Sequence, residues 1–69
     1  MRTRTDITVR IGFKWNGREN IKQYLMFDVS DAEALVKGIQ YFEGDYEGEN
    51  VEIIKAEIID KHTYTDEEG

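Results

Sequence analysis

The chain predicts an α+β fold: a two-layer sandwich in which one helix covers one face of a three-stranded antiparallel sheet, in β-β-α-β order with the first strand central. Three observations lead there. Residues 7 to 15 alternate between apolar and polar side chains and run directly into Asn-Gly. Residues 30 to 42 carry a helix cap followed by an apolar stripe, and residues 51 to 60 form an isoleucine-rich extended run. Sixty-nine residues allow a single domain, 1–69, with 1–4 and 63–69 expected as frayed tails.

In the first strand Ile7, Val9, Ile11, Phe13 and Trp15 fall on one face, and Thr8, Arg10, Gly12 and Lys14 on the other. Asn16-Gly17 supplies the positive φ angles of a tight turn. A second strand, about Asn20 to Val29, places Ile21, Leu25, Phe27 and Val29 together. Matching the two apolar faces requires an odd loop, Trp15-Asn16-Gly17, which sets Ile11 across from Ile21 and Ile7 across from Leu25.

Ser30-Asp31-Ala32-Glu33 has the form of a capping box, in which serine and glutamate side chains satisfy amides that the first helical turn leaves unpaired. Ala32, Leu35, Val36, Ile39 and Phe42 then recur as one helical stripe, with Gly44 as the terminator. Residues 43 to 50 read as an acidic surface loop. Val51 to Asp60 reads as the third strand, with apolar residues on both faces. Because a crossover from the second strand to the third can pass over a neighbour, the first strand takes the centre.

Charge is sorted along the chain. Residues 1 to 18 hold four arginines and Lys14 against Asp6 alone, net +4, while residues 19 to 69 hold four lysines against fourteen carboxylates, net -10. The whole chain carries -6 at pH 7, which opposes a polyanionic ligand. Arg10, Lys14, Trp15 and Arg18 nonetheless combine cations with an aromatic ring, as nucleic-acid-binding hairpins do. The competing reading pairs these cations with carboxylates on neighbouring strands.

Catalysis has little to work with. Ser30 is the only serine and already serves as a helix cap, His62 is the only histidine, and there is no cysteine. Neither a nucleophile-base pair nor a thiolate metal site is therefore expected. The carboxylates Asp45, Glu47, Glu49 and Glu52 do not have the spacing of a calcium loop, and no metal or cofactor is expected. No apolar run approaches membrane-spanning length and the basic N-terminus lacks the apolar core of a signal peptide, so a soluble cytoplasmic protein is expected.

What remains is binding. One helix shields one side of the sheet, leaving Arg10, Lys22, Tyr24, Met26, Ile53 and Ile59 expected on the bare side as a homodimer surface, unless an edge strand serves instead. The acidic half, through Glu43, Asp45, Tyr46, Glu47 and Glu49 with Trp15, is expected to engage another protein and occlude its surface. Small acidic inhibitors of phages and mobile elements act on host nucleic-acid-handling proteins in this way. The alternative function is the nucleic-acid-binding hairpin of the basic first strand.

Overall fold

The computed structural model describes residues 2–66. Strands β1 (Arg2–Trp15) and β2 (Arg18–Met26) form a hairpin, helix α1 (Asp31–Asp45) crosses one sheet face, and β3 (Val51–Asp66) returns beside β1. The sheet order is β2-β1-β3, and β1 pairs antiparallel with both neighbours. The three-stranded antiparallel sheet, the helix on one face and the central first strand agree with the fold class that the sequence predicts.

Alternation in β1 decides the core. Ile7, Val9 and Ile11 are wholly buried and Phe13 nearly so, joined by Met26, Val29, Ala34 and Phe42. Each such large apolar side chain contributes roughly 1.5–3 kcal/mol by leaving water. The Phe13 ring meets Phe42 edge-on at 4.7 Å.

The turn differs from expectation. It contains only Asn16 (φ 52) and Gly17 (φ 82), with Trp15 opposite Arg18. Two successive positive-φ residues match the twist of the hairpin, and this overrides the apolar matching that an odd loop would have given. The register sets Ile7 against Met26, Val9 against Tyr24 and Ile11 against Lys22. Every side chain of β2 therefore lies on the face opposite to the expected one. Met26 and the stems of Tyr24 and Lys22 take the helix side, while Ile21, Leu25 and Phe27 are exposed. Val29 still reaches the core, because the chain reverses at Asp28 (φ 56) and the Val29 amide donates to the Thr5 carbonyl at 3.0 Å.

The capping box at the start of α1 is complete. The Glu33 amide donates to Ser30 Oγ at 3.2 Å and the Ser30 amide donates to Glu33 Oε1 at 3.3 Å. The buried stripe is Ala34, Gly38 and Phe42, flanked by Leu35 and Ile39, so Ala32 and Val36 of the expected stripe face water. Size explains this rotation. A Cβ at Gly38 would come within 3.2 Å of both Met26 Cε and Val9 Cγ1, so the helix rests on β1 where it is thinnest. Gly44 does not terminate the helix, which continues to Asp45 and is capped by Tyr46, whose amide donates to the Phe42 carbonyl at 3.0 Å.

Both terminal segments expected as tails are strand in part. Arg2–Asp6 pairs with His62–Asp66, beyond the end of β2. Residues 1 and 67–69 lie outside the described residues. The two-stranded arm lengthens the molecule to 49 × 19 × 14 Å. Its radius of gyration is 14.3 Å, against roughly 11 Å for a compact chain of this length. Two register shifts break the β1–β3 pairing, between Thr8 and Val9 and between Gly12 and Phe13, and leave Ile59 and Ile54 as extra residues of β3.

Candidate functional site

The acidic residues singled out in the sequence gather at one end, where α1 finishes beside the hairpin tip. Glu43 and Asp45 stand in the last helical turn, and a short turn carrying Glu47 and Glu49 leads into Glu52 of β3. This turn is shorter and better held than the loop expected over residues 43 to 50. The Glu49 amide donates to the Tyr46 carbonyl at 3.0 Å, and the Asn16 amide donates to the Asn50 carbonyl at 3.1 Å, tying the turn to the hairpin.

Tyr46 does not project from this end. Its ring lies 4.8 Å from Phe42, 5.0 Å from Phe13 and 5.7 Å from Trp15, so it closes the core. Trp15 folds onto Tyr46 edge-on and keeps 37 % of its surface exposed. Asp45 is already engaged: the Tyr24 hydroxyl donates to its Oδ2 at 2.7 Å. Burial of the phenol, reinforced by this bond, pushes Tyr24 ionisation well above the usual tyrosine range.

Glu43, Glu47 and Glu49 are exposed, and among the described residues no ion pair engages them. The first turn of α1 carries Asp31 and Glu33, where carboxylates suit the helix dipole, but its last turn contains no basic residue. Negative side chains therefore add to the negative pole of the helix.

The bare face of the sheet is not the predicted set. Lys22, Tyr24 and Met26 lie on the helix side with Met26 buried, Ile53 sits opposite core residue Phe13, and Ile59 is the extra residue of a bulge. Of the six, Arg10 is on the bare face by register, beside Gln23 and Glu57. Ile21 and Leu25 stand in the same layer, 64 % and 55 % exposed.

The basic hairpin residues are likewise separated. Arg10 and Lys14 take the bare face, Trp15 and Arg18 the helix side. Arg10 donates two hydrogen bonds to Glu57 Oε1, and Lys55 Nζ lies 3.1 Å from Glu57 Oε2. These contacts, the Arg10 bonds foremost, hold the Glu57 carboxyl below its ordinary range. Lys14 stands between Glu19 and Glu52 in register. The charge separation along the sequence is thus partly offset across the sheet, because the basic first strand lies beside β3, which carries Glu52, Glu57 and Asp60, and meets Glu19 of β2.

One cluster went unnoticed in the sequence. Asp6 is buried; Arg4 contacts both of its oxygens at 3.3 Å, and the Asp28 amide donates to Oδ1 at 3.2 Å. The Arg4 guanidinium also lies 4.9 Å over the Tyr64 ring, against which His62 stacks at 4.4 Å. The signal was the i, i+2 spacing of Arg4 and Asp6, which puts both on one strand face. Through these contacts Asp6 braces the reversal at Asp28.

Among the described residues no group of three histidine or carboxylate side chains is placed to hold a metal ion, and no helix is long and apolar enough to cross a membrane. The chain matches no protein-family model, and no similar curated protein or solved structure was found.

Proposed function

We propose that this protein is a non-catalytic binding module that presents its acidic pole to a basic cleft on another protein, one that otherwise receives nucleic acid, and so occludes it. The observation that carries this reading is the unrelieved negative charge at the end of α1. Glu43, Glu47 and Glu49 surround a helix C-terminus with no cation in its last turn, which places like charges where they cost stability. A cationic partner removes that cost on binding. Trp15 beside them adds a partly exposed aromatic of the kind that anchors interfaces. Asp45 and Tyr46 act indirectly, by holding the turn in place through Tyr24 and the aromatic cluster. In this reading the protein works in the cytoplasm, as phage and mobile-element inhibitors do. Direct nucleic-acid binding is disfavoured because Arg10 is paired with Glu57.

The test is affinity capture from native host extract with the wild-type chain and a Glu47→Lys/Glu49→Lys variant. The wild type should retain a basic nucleic-acid-binding protein, the variant should hold it about tenfold less well, and added nucleic acid should compete. Equal capture by both chains, or a captured protein that still binds nucleic acid normally, refutes the reading.

A further inference from the structure

The two edges of the sheet are protected to different degrees. The outer edge of β3 bears Glu52, Lys55, Glu57, Asp60 and Lys61 and is interrupted by two bulges, both of which discourage pairing with another strand. The pairing of β2 with β1 runs without a shift from Arg18 to Met26. β2 contains no proline, and between Glu19 and Met26 its only charge is Lys22. The exposed apolar side chains Ile21, Leu25 and Phe27 lie on or next to this strand. Leu25 and Phe27 join Lys37 and Tyr41 of α1 around an open groove of about 210 Å³ along its edge.

The two-residue turn sets which amides of β2 point outward. Trp15 and Arg18 close the loop as a hydrogen-bonded pair, so alternation assigns the outward-facing amides and carbonyls to Glu19, Ile21, Gln23 and Leu25. Around Gln23 the strand is self-complementary. A second copy running antiparallel, with the two Gln23 residues opposed, sets Ile21 against Leu25 and Lys22 against Tyr24. The lysine-over-ring contact that already exists within one chain at 5.9 Å would then recur between chains. Centring the pair on Lys22 would oppose two ammonium groups. Centring it on Tyr24 would set Ile21 against Phe27, beyond the end of the strand.

We infer that β2 is a homodimerisation edge: two copies of this chain pair antiparallel through β2 about a two-fold axis at Gln23, forming one six-stranded sheet with both helices on the same side. About six inter-chain hydrogen bonds form, from Ile21, Gln23 and Leu25 of each copy. The inference does not rest on the acidic pole, which lies on other residues.

The experiment measures mass by sedimentation equilibrium for the wild type, Gln23→Lys, Gln23→Glu and an equimolar mixture of the two variants. Position 23 is exposed, so far-UV circular dichroism should be the same for all. At about 100 μM the wild type should approach twice 8.1 kDa. Each variant alone should dissociate with a constant raised roughly five- to tenfold, and the mixture should recover the dimer, because opposed Lys and Glu attract where like charges repel. A wild type that stays at 8.1 kDa, a dimer indifferent to either variant, or a mixture that fails to recover overturns the inference. Recovery in the mixture is reserved to a residue that meets its own copy, and so excludes pairing of β2 with a strand from another protein.

Discussion

The Tyr24 hydroxyl donates to Asp45 Oδ2 at 2.7 Å and so fastens the outer strand β2 to the last turn of α1. Replacing Tyr24 with Phe removes that bond and should cost about 1 kcal/mol, read from urea denaturation. The folded state holds the phenol neutral above the usual tyrosine range, so the contribution is complete below about pH 10 and is lost as pH rises toward the folded value. Wild-type stability should therefore fall above pH 10 more steeply than that of Tyr24→Phe. Parallel alkaline profiles would contradict this.

Glu57 responds in the opposite direction. Arg10 and Lys55 hold its carboxyl low, so its contribution is present above the ordinary glutamate value near 4.5 and is lost as pH falls through the lower folded value. A chemical-shift titration of Glu57 should show a midpoint below 4.5, and Arg10→Gln should move it upward. A midpoint unaffected by loss of Arg10 would show that the pair does not persist in solution.

Gly38 is held by contact rather than by its backbone angles. A valine there would bring its Cβ to 3.2 Å from both Val9 Cγ1 and Met26 Cε and add two methyls to an already tight contact, and overpacking of this kind costs about 2 kcal/mol. Thermal denaturation of Gly38→Val should show the loss. Gly44→Ala in the same helix, where a Cβ meets nothing within 4 Å, should stabilise by up to about 1 kcal/mol.

Ser30→Ala should cost about 1 kcal/mol, because it removes half of a cap whose two hydrogen bonds are both in place. Ser30→Asp, which retains an acceptor at the same position, should restore most of that stability.

The parts of the fold that could be read in advance were those with a strict local code. The period-2 run from Ile7 to Trp15 located the buried central strand, and Ser30 with Glu33 located the start of the helix. The register of β2 could not be read from hydrophobicity. The left-handed pair Asn16 and Gly17 closed the hairpin in two residues, and Tyr24, Met26 and the stem of Lys22 filled the inner face in place of Ile21 and Leu25. The helix stripe was misjudged because hydrophobicity ranks Val36 above Gly38, whereas close packing on β1 selects the smaller residue. The candidate acidic end was visible as composition. The burial of Tyr46 and the engagement of Asp45 by Tyr24 were not, since both depend on partners more than twenty residues away or across the hairpin.

The ribbon formed by Arg2–Asp6 and His62–Asp66 projects beyond the end of β2, and its described side chains are secured by the brace at Asp6, the Arg4–Tyr64 and His62–Tyr64 contacts and the Thr5–Thr63 pair. Amides of one continuous strand therefore belong to two cooperative units. Those near Arg4 should exchange with deuterium through fraying of the protrusion, while those from Val9 to Phe13 should wait for the whole molecule to open. A protease that nicks the protrusion would then leave a folded remnant, shorter at both ends.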